Sequence, residues 1–339
     1  MTPRITGTII PSRRRHVNDR QRVVLDMDVG IDDALAILYL AARTDVEVVA
    51  LGSVHGNGYV EVTTHNALGV LELAGLGHVP VAQGAADPLV VPLSVATFVH
   101  GEDGLGGAGI PETTGRPTGE HAADQIVRLG AEAPGSLDLF AVGPLTNLGL
   151  ALRRDPLALT RYRSVVIMGG AGLEADDARS IMDANVAHDP DAADLVFGSG
   201  AAITMVGVNV TTPTLLEATD QARIAASDLA HARFAWRILA FYLDFYERFL
   251  GRRAASLHDP LAAGILRDPS LVTSFVDAPV GIVDSEKGAR AVAPVMPSPA
   301  VAGRRTTRIA TAVDGPRFVE DFVEALSSPL PTRSPWVPS

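Results

Sequence analysis

With 339 residues, 47% hydrophobic and 20% charged, the chain can bury a large core and is not a disordered polypeptide. Its 28 Lys and Arg stand against 39 Asp and Glu, a net charge of -11, and no basic groove offers itself to nucleic acid. There is no cysteine, which excludes disulfides, thiolate metal sites and a cysteine nucleophile, and no apolar run reaches membrane-spanning length.

The first twenty residues, MTPRITGTIIPSRRRHVNDR, are basic but lack the apolar stretch of a signal peptide. Residues 1–20 read as a mobile leader, and the protein as cytoplasmic. Arg22 to Met27 is a short apolar run suited to a buried parallel strand. A turn at Val29-Gly30 leads into a helical pattern from Asp32 to Arg43 with carboxylates in its first turn. Val46 to Val54 reads as a second buried strand and Thr63 to Ala74 as its helix. The alternation continues with a strand at Leu137–Val142, a helix at Leu145–Arg154, a strand at Ser164–Met168, a helix at Asp189–Gly198 and a strand at Ala202–Val206. Such alternation predicts an α/β fold, a mainly parallel doubly wound sheet with helices on both faces.

Three regions break the rhythm. His100 to Gly119 is Gly-rich and reads as loop; Leu173 to Asn185 is polar and acidic; Leu229 to Leu250 is a long helix bearing Tyr242 and Tyr246. Residues 272 to 313 read as a few added strands, some antiparallel, and Pro316 to Leu326 as the last helix. No repeat or linker divides the chain, so residues 21–327 are expected to form one domain, followed by a Pro- and Ser-rich tail, 328–339.

Asp26, Asp28, Asp32 and Asp33 fall within eight residues, directly after the first strand. Ligands of doubly wound sheets bind at the C-terminal ends of strands. Four carboxylates so close repel one another unless a cation joins them, and an all-oxygen donor set selects Ca²⁺ or Mg²⁺. Helix capping by aspartate accounts for one or two of the four. A DxD at a strand end also fits the haloacid dehalogenase-type phosphatases, with the first Asp as nucleophile. That reading does not expect Asp32-Asp33 at the helix start, and it needs a later lysine, whereas Lys287, far down the chain, is the only one.

Seven segments, in order, resemble the inosine–uridine-preferring nucleoside hydrolases. They are Leu25 to Leu40 (LDMDVGIDDALAILYL), Gly56-Asn57, His100 to Gly106 (HGEDGLG), Ala141 to Asn147 (AVGPLTN), Met168-Gly169-Gly170, Asp183 to Asn185 with Asp189 to Ala193, and His258 to Ala262 (HDPLA). The resemblance spans roughly residues 22 to 325. It implies calcium-dependent hydrolysis of the N-glycosidic bond of ribonucleosides. Ca²⁺ would be held by Asp28, Asp33, the Val142 carbonyl and Asp259, with Asp28 also the general base. Asp32, Asn57 and Asn185 would hold ribose hydroxyls, and Asp26 would support the cluster from behind. Met168, His100, Tyr242 and Tyr246 are further candidate substrate contacts. The family's members are commonly dimers or tetramers, so a homodimer or homotetramer is expected, with a small ribonucleoside and neither nucleic acid nor membrane as partner.

The chemistry explains the residue types. Breaking a ribosyl C–N bond builds positive charge on the sugar, which carboxylates stabilise. A neutral base leaves poorly as an anion, and His258, beside the ligand Asp259, is the candidate that protonates it. One subsite departs from the family. Its Glu-x-Asn reads Asp183-Ala184-Asn185 here, and Asp177 stands near the position of its earlier Asn, the two positions that hold the 5′-hydroxyl. Two readings besides the hydrolase therefore stay open: the phosphatase, and a non-catalytic nucleoside or ribose binder whose altered 5′ subsite has cost turnover.

Overall fold

The computed structural model describes residues 20–110, 113–173, 183–283, 290–293 and 301–332. Its first half runs β1 (Gln21–Met27), α1 (Ile31–Ala41), β2 (Val46–Ser53), α2 (Val60–Leu73), β3 (Val81–Gln83), α3 (Thr97–His100), α4 (Ala122–Glu132), β4 (Asp138–Ala141), α5 (Thr146–Arg154) and β5 (Ser164–Met168). Then come β6 (Gly172–Leu173), α6 (Ala184–His188), α7 (Pro190–Gly198), β7 (Ile203–Val206), α8 (Val208–Thr211), β8 (Leu215–Leu216), α9 (Ala218–Ala225) and α10 (Ala230–Leu250). β9 (Ala255–Ser256), α11 (His258–Arg267), β10 (Val272–Ala278), β11 (Gly281–Val283), β12 (Arg290–Ala293), β13 (Thr307–Val313) and α12 (Gly315–Ser327) complete the chain.

Eight strands form one sheet in the order β10-β13-β7-β5-β4-β1-β2-β3. All its pairings are parallel except β10 with β13. The α/β class with added antiparallel strands is therefore the observed one. β1 lies between β2 and β4, where the winding reverses, and this switch point opens the crevice in which such sheets bind ligands. Two apolar clusters cover the two faces. One gathers α1, α2, α10, α11 and α12; the other gathers α4, α5 and α7.

α1 is buried along its whole length, Asp32 and Asp33 included. It is apolar nearly all round, as a helix enclosed by others must be. It packs on α11, which turns the first turns of both helices toward the same end of the sheet. Two positive helix termini thus converge where the acids stand.

Several elements depart from the pattern reading. The expected loop at His100–Gly119 is entered by a helical turn, α3, that ends on His100. α2 starts at Val60, before the expected Thr63. α4 was not anticipated because Ile126 is the one large apolar residue on its buried face, beside Ala122, Ala123, Gln125 and Gly130. α11 was not anticipated either, although its first two residues, His258 and Asp259, were singled out.

Candidate active site

The floor of the crevice is built by the chain leaving β1. Asp26 accepts the Asn147 amide at 2.9 Å. In Asp28, Oδ2 accepts the backbone N–H of Asn57 at 2.8 Å, and Oδ1 is buried without a partner. Gly56, with φ at +145°, is what admits that carboxylate: a Cβ there would come within 2.1 Å of Asp28 Oδ2. Asp33 Oδ2 accepts the N–H of Gly30 and the side-chain amide of Asn57, each at 2.9 Å.

One carboxylate oxygen from each of Asp32, Asp33 and Asp259 lies within 4.8 Å of the others. Asp28 stands beside this triad rather than in it; the charges of Asp33 and Asp32 act on it, and its own acts on Asp259. Burial, then the charge of Asp32, pushes Asp33 up to about 8. Burial raises Asp32 to about 6. Burial and the neighbouring acids raise Asp28 and Asp259 well above the ordinary carboxylate range. The Oδ1 atoms of Asp28, Asp32 and Asp33 are all buried and unpartnered. Crowded, desolvated carboxylates with free oxygens are the donor set of a hard divalent cation, which removes the repulsion they otherwise suffer.

The other expected residues gather around this floor. The Val142 carbonyl accepts the Asn185 amide at 2.7 Å, and the same amide reaches the Met168 carbonyl at 3.0 Å. His100 Nδ1 accepts the backbone N–H of Ile31 at 3.1 Å, so its proton sits on Nε2. Burial, then His258 and His188, lowers it to about 3, and it is neutral.

Tyr242 donates to Asp32 Oδ2 at 3.3 Å. Its hydroxyl lies 3.5 Å from that of Tyr246, which lies 2.6 Å from His258 Nε2. His258 Nδ1 meets Thr211 Oγ1 at 2.7 Å. Burial pushes His258 down to about 4. Both its ring nitrogens are engaged, and Tyr246 lies between it and Tyr242.

Asp183 caps α6: Oδ1 accepts Val186 N–H at 3.3 Å, and Oδ2 accepts Gly170 N–H at 2.6 Å. Asp177 lies outside the described residues.

These groups enclose a cavity of about 370 Å³, the size of a small-molecule site. Asp32, Asn57, Asn185 and Asp259 line its polar side. Its walls include residues that the sequence did not point to. Phe98, Val99, Phe245 and His188 line it too, brought there by α3, α6 and α10 rather than by any local motif. Asn147, quoted within a motif without a role, backs Asp26.

Comparison with known proteins agrees over almost the whole sheet. The family model described as inosine-uridine preferring nucleoside hydrolase matches residues 23–320. A protein named probable uridine nucleosidase 1, from Oryza sativa subsp. japonica, is 38% identical over 75% of this chain and 79% of its own. A solved plant nucleoside hydrolase superposes with a TM-score of 0.84 at 31% identity, covering 91% of this chain and 99% of that one. A purine-preferring ribonucleoside hydrolase from Gardnerella vaginalis gives a TM-score of 0.83 at 30% identity, covering 91% and 98%.

Proposed function

The chain belongs to the inosine-uridine preferring nucleoside hydrolase family, and from that premise we propose that it is a calcium-dependent ribonucleoside hydrolase releasing free base and ribose. The observation that carries the proposal is the buried triad of Asp32, Asp33 and Asp259, of which Asp32 and Asp259 line a cavity of ribonucleoside size. Relatives named for uridine and for purine preference support a nucleoside substrate without choosing the base. Family membership leaves the phosphatase reading without support.

Asp33, Asp259, Asp28 and the Val142 carbonyl would hold Ca²⁺, as expected from the sequence, with Asp32 close enough to join them. A bound calcium ion supplies positive charge that fixes the ribose hydroxyls and acidifies a neighbouring water. Asp28 has a carboxylate oxygen free, Oδ1, and takes the proton of the attacking water. The water oxygen bonds to the anomeric carbon as the C–N bond breaks and its electron pair leaves with the base. Asp32 and the other acids stabilise the positive charge that the sugar develops. Asn57 and Asn185 orient the ribose hydroxyls.

Tyr246 gives its hydroxyl proton to the departing base and regains one through solvent once Asp28 releases the proton it took from the water, while His258, hydrogen-bonded to that hydroxyl, holds it in place. The histidine thus acts through the tyrosine. A single domain spanning 21–327, assembled as a homodimer or homotetramer in the cytoplasm, completes the proposal.

The test is incubation with uridine and inosine, with Ca²⁺ and with a chelator, reading free base and reducing sugar. Equal release of both products, lost on chelation, is expected. Nucleoside binding without product release would establish the non-catalytic binder instead.

A further inference from the structure

His258 is held between two hydroxyls, Thr211 on its Nδ1 side and Tyr246 on its Nε2 side. A neutral imidazole carries one ring proton, so one nitrogen donates and the other accepts. Which does which decides where the Tyr246 proton can go. If Nε2 accepts, that proton is spent on the histidine. If Nε2 donates, the proton is left for the base.

The surroundings of Thr211 settle the direction. Thr211 ends α8 and is fully buried. Thr64 and Thr214 each donate to the carbonyl four residues back, at 2.5 Å and 2.9 Å. Thr211 makes no such bond to Gly207; among the described residues the one partner of its hydroxyl is His258 Nδ1, at 2.7 Å. A buried hydroxyl proton needs an acceptor, so Thr211 donates and Nδ1 accepts. The ring proton of His258 is then on Nε2 and is donated to the Tyr246 oxygen.

The rest of the chain of bonds agrees. Tyr242 donates to Asp32 Oδ2, which leaves its oxygen to accept from Tyr246 at 3.5 Å. Every bond from Thr211 to Asp32 therefore runs one way. The longest of them holds the Tyr246 proton, and a hydrogen bond at that distance is weak. The backbone fixes the other end. β8 pairs with β9, Leu215 opposite Ser256. Leu257 N–H donates to the Thr214 carbonyl at 2.9 Å, and the Ser256 hydroxyl to the Thr212 carbonyl at 3.0 Å. These ties hold Thr211 and His258 side by side independently of their own bond.

We propose that Thr211 is a positioning residue whose hydroxyl selects the Nε2–H tautomer of His258 and so turns the Tyr246 proton toward the leaving base. This rests on the nucleoside hydrolase reading above. Thr211 does not line the cavity and acts only through His258. When Tyr246 gives up its proton, the phenolate oxygen meets an N–H already aimed at it, and His258 neither gains nor loses a proton.

The experiment compares wild type, Thr211→Ser and Thr211→Val. Each is labelled with ¹⁵N-histidine and read by NMR at neutral pH with Ca²⁺, because protonated and bare ring nitrogens differ widely in shift. His258 is one of nine histidines and is assigned by the signals that vanish in His258→Gln. A protonated Nε2 and a bare Nδ1 are expected in wild type and Thr211→Ser. Leaving a buried polar group unmet shifts an equilibrium by about 5- to 150-fold. Valine removes that bias, so Thr211→Val should move toward Nδ1–H by a factor in this range.

The kinetics follow the tautomer. In Thr211→Val, kcat for inosine should fall about fivefold or more with KM within about twofold, while p-nitrophenyl riboside, whose leaving group needs no proton, stays within about twofold. Thr211→Ser should restore inosine cleavage. A protonated Nδ1 in the wild type overturns the proposal, as does a Thr211→Val protein with the wild-type tautomer and wild-type kcat. Equal losses on the two substrates also overturn it, since they mark a general structural role. If the wild type releases no base from any nucleoside, the hydrolase reading fails separately, and the wild-type spectrum still decides the tautomer. It decides likewise if Thr211→Val does not fold.

Discussion

The hydroxyl of Tyr246 lies 2.6 Å from Nε2 of His258, though one residue rides on α10 and the other opens α11. The contact joins His258, the candidate acid for the leaving base, to Tyr246, a candidate substrate contact, and under the proposed function the two act as one unit. General acid catalysis of this kind contributes about 10²- to 10⁴-fold. His258→Ala and Tyr246→Phe are therefore expected to slow inosine cleavage within that range. Both should slow p-nitrophenyl riboside far less, because its leaving group needs no proton. Equal losses on the two substrates remove the pair from leaving-group protonation.

The carboxylate triad predicts a calcium-linked stability. A ligand that binds only the folded protein adds about 2.7 kcal/mol at a hundredfold excess over Kd, so Ca²⁺ should raise the wild-type Tm by several degrees. Asp33→Asn and Asp259→Asn should abolish most of that rise while melting normally in chelator, since each variant also relieves repulsion among buried acids. A full calcium shift in both variants would contradict the assignment of these two ligands.

Asp183 is expected to matter more for local structure than for the 5′-hydroxyl. Its two oxygens already accept the N–H groups of Val186 and Gly170. Asp183→Ala should cost about 1 kcal/mol as a lost helix cap. Removing the substrate's 5′-hydroxyl should lower kcat/KM by less than about tenfold in the wild type. A larger penalty for 5′-deoxyinosine means that the subsite still grips the hydroxyl.

His55 supplies a pH prediction away from the acids. It is buried with Nε2 at 3.1 Å from Thr146 Oγ1. Burial, then His188, lowers it to about 4 against an ordinary 6.5, with Asp189 and Asp87 opposing. The unfolded chain therefore takes up its proton first as pH falls. The stability that neutral His55 contributes is whole above pH 6.5 and is lost on descending toward pH 4. In His55→Gln the difference in stability between pH 6.5 and pH 4 should shrink, read from urea midpoints across that window. An unchanged slope means that His55 is charged in the native state.

Much of the sheet was legible in the sequence because buried parallel strands are short apolar runs and their helices follow at once. Ser164–Met168 matches its strand to the residue, and Asp32 and Asp33 could be read as first-turn acids from local spacing alone. What local spacing does not carry is which distant groups meet. That Asp183 spends its oxygens on backbone N–H groups, or that the Val142 carbonyl takes the Asn185 amide, depends on how β5, α6 and β4 come together. Phe98 and Phe245 were silent for the same reason. A phenylalanine on a helix reads as core until its neighbours are known, and these two face a cavity.

Asp33 belongs to the first helix of the chain and Asp259 to the eleventh, and α1 packs on α11 only when both exist. The cation pocket is therefore a late product of folding. A nascent chain that has not yet reached α11 has no such pocket, and contacts so distant along the chain are slow to close. Retention of an ion there would report that the chain has been made through α11 and that α1 and α11 have docked. Fragments that stop before α11 should lack it, however much of the first strands and helices they keep.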